Sequence, residues 1–508
     1  MVIAISLFAA VVALLTTRWL ARIAPAQREP SVVPITYRPG SAPPVPRVGG
    51  VAVYVAVLAA VGLATYLGDS GTGAVLQQNG GLYGGILGGA TLLLAVGLAD
   101  DFLDLSPAVK LLAQGMAAMF AVSGGLGLRV VQLGPHAHIT LGWLGIPLTL
   151  FWVIAVTNAF NFIDGLDGLA SSIGIVGFAA TLVSAAVLGR HDVVMMSVIA
   201  IGALLGFLRY NFAPARIYLG DSGSLLIGYL LATLSLIGAT SDGSTALVYV
   251  PVFALALPLL DGAVAIARRW LRRMPIWKGD HRHIHHRVLA LGLSKRQSVG
   301  VLVAVAAFFG IVGVVTSFVT PVLFVGVALL SGAACLALLT VGLRRLDYYE
   351  FAALRTALQV RPRPWRRFVR EEIRLRDAER ELATARDLND LRTGLDRCAL
   401  AFGLDRIEIS RQRPRLRRSW HGEHFDVPVS ASESSITDDW VLRVWHGEYD
   451  SPRPELVQRA ARVLARACGL WLHDYGILGG PAWAAPAGSR PRRERPLLAG
   501  GHRQLAKA

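Results

Sequence analysis

Charge and cysteine are scarce in this chain. Of its 508 residues only 17% are Asp, Glu, Lys or Arg, against 54% hydrophobic, and the apolar residues come in long runs rather than at amphipathic spacing. That distribution excludes an ordinary soluble globular protein. The three cysteines, Cys335, Cys398 and Cys468, lie far apart, which excludes a disulfide framework and a multi-cysteine metal centre. They are expected to stay reduced and to carry no chemistry. Also missing are a Gly-x-x-x-x-Gly-Lys phosphate loop and a Rossmann glycine fingerprint between strand and helix. A nucleotide site, if there is one, is not built on a soluble nucleotide-binding fold.

What is there is a succession of apolar stretches. A bilayer core needs about 20 apolar residues per helix, and breakers divide the chain into about eleven spans: roughly 1–20, 48–68, 81–99, 107–125, 143–161, 170–189, 192–210, 223–240, 246–266, 298–317 and 321–343. The first has no basic flank before it and no small-residue cleavage site, so it is read as a retained helix rather than a signal peptide. Alternate loops differ in charge. One set carries Arg18, Arg22, Arg28, Arg38 and Arg47, then Arg209 and Arg216, then a dense group from Arg268 to Arg296, whereas the other holds Arg129 and Arg190. The positive-inside rule makes the first set cytoplasmic, with the N-terminus outside. The net charge of +16 is therefore assigned to topology and to attraction by anionic lipid, not to nucleic acid.

Four polar clusters fall in the cytoplasmic set. The first is Gly97-Leu-Ala-Asp100-Asp101-Phe-Leu-Asp104, followed by Lys110 and Gln114. Adjacent carboxylates at the mouth of an apolar span are costly to desolvate and call for a cation or a proton nearby. The second runs from Asn158 through Asn161, Asp164 and Asp167 to Gly168, mixing carboxylates, hydrogen-bonding amides and glycines that let a ligand approach the backbone. The third is Asn211, then Gly220-Asp221-Ser222-Gly223-Ser224, directly before a span. A helix N-terminus of this kind suits a metal-bridged phosphate, although alone it reads equally as a helix cap. The fourth is Asp261, Arg268 and Arg269, then Asp280-His-Arg-His283-Ile-His285-His286-Arg287. No cysteine accompanies these histidines and arginines surround them, which favours phosphate over zinc.

In this order the clusters, together with Pro46-Arg47-Val-Gly49-Gly50, resemble the polyprenyl-phosphate N-acetylhexosamine-1-phosphate transferase family over roughly residues 1–345. The resemblance implies a polytopic helical membrane enzyme that joins a UDP-sugar to polyprenyl phosphate with Mg2+, or Mn2+ in its place. It implies that Asp221, Asp100 and Asp101 are catalytic and surround the metal. It further implies that Arg47, Lys110, Asn158, Asn161, Asp164, Asp167, Asn211, His283, His285 and His286 bind substrate. The Asp280 and His-Ile-His-His form resembles the branch using UDP-N-acetylglucosamine more than the peptidoglycan branch, whose phospho-N-acetylmuramoyl-pentapeptide transferase is the nearest alternative. A secondary transporter is the alternative of another class, but its binding groups belong near the bilayer midplane, whereas these clusters gather on one face.

The expected place is the inner membrane of a bacterium, multi-pass, with site and C-terminus in the cytoplasm. The expected partners are the two substrates, the bilayer, a second copy of the chain and an unidentified partner for the C-terminal region, with no nucleic acid. Beyond the last span the composition changes. Residues 346–404 read as a charged helical linker, 405–477 as a small α+β domain with strands at 406–410, 424–429 and 440–445 and a helix at 454–472, and 478–508 as a disordered tail.

Overall fold

A computed structural model describes residues 1–25, 44–67, 76–128, 130–132, 138–241, 252–275, 282–316, 318, 321–346, 348–360, 365–402, 404–411, 424–432, 435–445 and 454–474. The chain divides into two compact units. The first takes in 1–267 and 275–346, and the second takes in 268–274 and 347–495.

The first unit is helical. Its helices are α1 (Val2–Ile23), α2 (Gly49–Tyr66), α3 (Gly80–Leu103), α4 (Pro107–Ser123), α5 (Gly145–Ile163), α6 (Leu169–Val187), α7 (His191–Asn211) and α8 (Gly220–Ser241). They are followed by α9 (Ala256–Arg272), the short α10 (Ile284–Leu289), α11 (Lys295–Thr316) and α12 (Pro321–Arg345). Eight helices among the described residues are long and apolar enough to cross a membrane, so the chain is a polytopic membrane protein. The count of eleven is not reached. Helix α4, at 17 residues, sits at the short limit for a span, and the side chains of much of α12 lie outside the described residues. The ninth expected span differs in kind. Its described part, α9, starts late, where Pro258 is tolerated in a first helical turn, and it carries Asp261, Arg268, Arg269 and Arg272. A small hairpin of β1 (Val130–Gln132) and β2 (His138–Thr140) between α4 and α5 has no counterpart in the expected spans.

Helix α8 is the centre of the bundle: every residue from Ser222 to Ile237 is buried. Neighbours approach it closely through small residues. A β-carbon on Gly89 of α3 would lie 2.2 Å from the Tyr229 hydroxyl, and one on Gly228 would lie 2.8 Å from Thr157 of α5. The Tyr229 hydroxyl donates to the Ala117 carbonyl at 3.1 Å, and the Trp152 indole donates to Ser235 Oγ at 2.9 Å. At the periphery α1 crosses α7 where Gly202 and Gly206 meet the carbonyls of Ser6 and Ala10. The outward residues of α1, Leu7, Leu15 and Trp19 among them, are exposed, as lipid-facing residues must be when no bilayer is present.

The second unit begins with the end of α9 and continues through α13 (Tyr349–Val360), α14 (Trp365–Ala383), α15 (Leu388–Phe402) and α16 (Pro454–Asp474). Its antiparallel sheet has the order β3-β5-β4, with β3 (Arg406–Arg411), β4 (His424–Ser432) and β5 (Ser435–Trp445). Leu391, Cys398, Ile407, Leu442, Cys468 and Trp471 share one core. All three cysteines are free thiols. Where one linker helix was expected, α14 and α15 are separate because Asp387 caps α15, its Oδ1 accepting from the N–H groups of Asn389 and Asp390 at 2.8 Å each.

A buried charge cluster fixes the start of this unit. The Arg272 guanidinium pairs with Glu350 at 2.8 Å and with Asp377 at 2.8 Å, and Glu350 is fully buried. Tyr349 hydrogen-bonds both Arg272 and Asp377. Removing one member of such a set strands the others' charge. Arg272→Ala is therefore expected to lower unfolding stability by about 3–5 kcal/mol, against under about 1 kcal/mol for Arg397→Ala, whose pair with Glu381 is exposed. Thermal melting of the two purified variants checks this, and equal losses would contradict it.

Candidate functional site

The first three clusters meet at the N-terminus of α8, and the described histidines of the fourth pack on the turn after α5. The first joins the third through Asp101 at the end of α3: its carboxylate accepts from the backbone N–H of Asp221 at 2.8 Å and of Ser222 at 3.2 Å. It thereby caps α8 from a different helix, supplying acceptors that a helix start otherwise lacks. Asp100, one residue earlier, points to Lys110 on α4, whose ammonium lies 2.8 Å from Asp100 Oδ2 and 3.0 Å from Asp221 Oδ2. One cation thus stands between two carboxylates. Asp104 instead ends α3 in a left-handed conformation, with φ of 52°, and is exposed.

This approach requires glycine. A β-carbon on Gly97 would lie 2.5 Å from the Ser222 backbone, and one on Gly50 would lie 2.4 Å from the Gly223 nitrogen. Gly220, at φ +74°, turns the chain into α8 beside the Arg47 carbonyl and the Asp101 carboxylate. The segment before α2 runs alongside residues 218–219, with Tyr218 N–H donating to Pro46 at 2.8 Å and Gly49 N–H donating to Tyr218 at 3.0 Å. Half-buried Arg47 is delivered to the site in this way.

The second cluster joins from α5 and the turn after it. Asn161 donates to Ser224 Oγ at 3.0 Å. Asn158 pairs with Gln114 of α4, its amide donating at 2.5 Å. In the turn, burial raises the Asp164 carboxyl well above the ordinary carboxylate range. The negative fields of Asp221 and Asp101 add to this, while Arg47 opposes it. Asp167 accepts from the Ala215 N–H at 3.2 Å. Asn211 is buried and bonded into the framework: its Oδ1 accepts from Ser171 at 3.1 Å and its Nδ2 donates to the Ile217 carbonyl at 3.0 Å. It shapes the loop that leads to Asp221.

The histidine segment closes the set. His285 packs on the backbone of Gly165, where a β-carbon would fall 2.0 Å from its Nε2. His283 stacks on Phe162 at 5.4 Å, His283 and His285 lie parallel at 5.9 Å, and His286 lies 4.2 Å from His285. Asp261 holds this segment in place, one oxygen 2.8 Å from His283 Nδ1 and the other accepting the Ile284 N–H at 2.9 Å. Asp261, part of the fourth cluster, thus positions His283, and Phe162, which its residue type alone does not single out, supports it by stacking. The signal for Asp261 was a single carboxylate in an otherwise apolar stretch. Asp280 lies outside the described residues. Arg268 and Arg269 are buried, Arg268 against the ring of Tyr348 within the second unit.

Among the described residues two buried polar atoms here lack a well-formed hydrogen-bond partner: Ser222 Oγ, which lies beside the Asp101 carboxylate, and His285 Nδ1. Nearly every buried polar group in a folded protein finds a partner, so such atoms in a cluster of acids and histidines mark a place prepared for a ligand. Among the described residues no group of three His, Cys, Asp or Glu side chains already forms a metal cage. What the arrangement offers is two carboxylates sharing a cation, a helix N-terminus, amides and imidazoles around one polar focus.

Burial and the neighbouring His286 and His283 keep the His285 imidazole neutral to well below its ordinary value. The unfolded chain therefore takes up this proton first as pH falls, and the stabilisation is present above about pH 6.5 and lost below it. Thermal inactivation should accelerate between about pH 6.5 and 5, and His285→Gln should flatten that slope. An unchanged slope in the variant would assign the sensitivity elsewhere.

Residues 83–239, from α3 to α8, match the family described as glycosyl transferase family 4. Among curated proteins the chain is 36% identical over 277 residues to a probable undecaprenyl-phosphate N-acetylglucosaminyl 1-phosphate transferase of Bacillus subtilis, covering 54% of this chain and 74% of that one. It is 34% identical over 338 residues to a decaprenyl-phosphate N-acetylglucosaminephosphotransferase of Mycobacterium tuberculosis, covering 60% and 81%. It is 31% identical over 285 residues to an undecaprenyl-phosphate alpha-N-acetylglucosaminyl 1-phosphate transferase of Escherichia coli, covering 54% and 73%.

Proposed function

The chain belongs to glycosyl transferase family 4, and on that premise we propose that it transfers N-acetylglucosamine 1-phosphate from UDP-N-acetylglucosamine to a polyprenyl phosphate, releasing UMP. The product is a lipid-linked sugar pyrophosphate that starts an envelope glycan. The observation carrying this reading is the convergence on Asp221 of the carboxylate pair and Lys110, with Asn161 bonded to Ser224 in the same helix turn and the histidines packed on the turn that carries Asp164. The names of the relatives support the sugar and the carrier. With the reading goes a multi-pass topology with the N-terminus outside and the site and C-terminal α+β domain in the cytoplasm of a bacterial cell.

A phosphate oxygen of the lipid attacks the phosphorus attached to the sugar. The bond from that phosphorus to the bridging oxygen breaks, and UMP leaves with that oxygen. A phosphate monoester with a second pKa of about 6 is largely dianionic near neutrality, so the nucleophile needs placing more than deprotonating. Lys110 and Arg47 offset the repulsion between two anionic reactants, and the α8 N-terminus adds its N–H dipoles. Asp100 and Asp101 orient the lipid phosphate and hold Asp221 in place. Asn161, Asp164 and Asp167 shape the nucleotide pocket, and His283, His285 and His286 face the diphosphate and sugar.

Mg2+ fits the residues present. Asp221 and Asp100 offer hard oxygen donors that already share one cation in Lys110, and Mg2+ is commonly held by one or two carboxylates plus substrate phosphates. Asp221 and Asp100 would hold it, with Asp101 behind them, and when bound it would supply charge neutralisation on the diphosphate.

Membranes enriched in the protein, given polyprenyl phosphate, Mg2+ and UDP-N-acetylglucosamine, should release UMP only when lipid and metal are both present. Release of UDP would replace this reading with a glycosyl transfer. Asp221→Asn should lose at least about 100-fold in turnover while still inserting in the membrane; substantial metal-dependent turnover would remove Asp221 from its role. A second test needs no activity. Lys110→Met removes the cation between Asp100 and Asp221, so with chelator its melting temperature should fall below the wild type, and added Mg2+ should restore more in the variant than in the wild type. Equal gains in both would argue against a metal between these carboxylates.

A further inference from the structure

The second unit gathers arginine and tryptophan on one surface that takes no part in the reaction proposed above. Trp270 on α9 and Trp365 on α14 are 50% and 37% exposed, with their rings 6.2 Å apart. The Arg366 guanidinium lies over both, 5.1 and 5.4 Å from their centroids. Arg370 stands beside Arg273, Arg374 and Arg367, and Glu371 is the carboxylate paired with Arg367, at 2.9 Å. Five arginines crowded together repel one another and gain nothing in water. Against a surface of fixed negative charge the same crowding becomes favourable.

The exposed face of α9 indicates which surface. Ala263, Ile266 and Trp270 are its exposed residues, spaced three or four apart and hence on one side, and Arg273, just past the helix end at φ +53°, is exposed too. In that order they run from apolar through aromatic to cationic. This is the sequence of environments met on passing from hydrocarbon to the headgroup layer, where tryptophan is enriched and arginine reaches for phosphate. A single-stranded nucleic acid would use indole faces for base stacking, but here Arg366 already lies over both rings.

We propose that Trp270, Trp365, Arg273, Arg366, Arg367, Arg370 and Arg374 form a docking surface for anionic phospholipid headgroups, which seats the second unit on the membrane through phosphate contacts and two indole anchors. The occupant is the lipid of the bilayer itself. The inference does not depend on the catalytic reading, and none of its residues belongs to the polar site.

The test uses the full chain in nanodiscs of phosphatidylcholine alone or mixed with phosphatidylglycerol. Arginine labelling by phenylglyoxal is followed peptide by peptide, with exposed Arg392 on α15 as reference. With phosphatidylglycerol present, Arg366, Arg367, Arg370 and Arg374 should react roughly fivefold more slowly relative to Arg392, and high salt should remove the difference. Brominated phosphatidylglycerol should quench tryptophan emission of the wild type more than that of the Trp270→Phe, Trp365→Phe double variant. Equal labelling rates in the two discs would overturn the proposal. So would protection that appears only when an oligonucleotide or a soluble acidic protein is added, since the surface would then serve another partner.

Discussion

Repulsion between carboxylates gathered at helix ends is the constraint around which the first unit is arranged. Asp100, Asp101 and Asp221 share one polar focus, and burial, with the fields of Asp221 and Asp101 added to it, raises the Asp164 carboxyl well above the ordinary carboxylate range. Two unit charges 4 Å apart cost about 4 kcal/mol at an effective dielectric of 20, a large share of a domain's total stability. Each carboxylate accordingly has its own compensation. Lys110 lies between Asp100 and Asp221, the backbone of α8 gives Asp101 two N–H groups, and Arg47 acts on Asp164. The compensation comes from α4, from the strand-like segment before α2 and from the start of α8, so the acidic focus cannot exist unless these distant stretches are assembled first.

Assembly of that kind depends on backbone approaching backbone. Gly50 and Gly97 sit where any β-carbon would strike the first turn of α8, and Ser222 to Ile237 of α8 are all buried, which leaves the helix little freedom to shift and relieve the clash. The platform under the acids is therefore rigid. The histidine segment is held differently. Asp261 fixes His283 by its ring and α10 by a backbone N–H, Arg287 donates to the Leu346 carbonyl at 2.7 Å, and the segment rests on the aromatic face of Phe162. A segment tied at a few points to a rigid floor can adapt to a ligand while the floor keeps its geometry.

Much of this was legible in the sequence because the physics involved is local. Apolar runs give spans whatever their neighbours, glycines beside acids at span ends announce a site, and alternation in 406–445 gives strands. The features that escaped depend on tertiary context. Asp101 reads like its neighbour Asp100, yet one caps a helix more than a hundred residues away while the other meets Lys110. Asn211 reads like Asn161, but it is buried and braces the loop before Asp221. The stretch expected as a span over 246–266 differs from the others in its described part, because α9 buries Asp261 there and runs on into buried Arg268 and Arg269, which makes the helix amphipathic rather than uniformly apolar. The break between α14 and α15 turned on Asp387 acting as a cap, a role that depends on backbone geometry more than on composition.

The location of the polar focus follows from the reactants that the proposed reaction must bring together. A polyprenyl chain gains about 0.8 kcal/mol per buried CH2, so its phosphate is confined to the layer where hydrocarbon meets water. A nucleotide sugar carries two phosphate charges and cannot follow the lipid inward without losing hydration that no protein group would fully replace. Acids placed at the middle of the spans would demand that entry, and acids placed well beyond the membrane would demand that the lipid be pulled out. Helix ends avoid both costs. They put N–H dipoles, a lysine and paired carboxylates in the one layer that both phosphates can reach, and the crowding of carboxylates is what this placement requires the fold to offset.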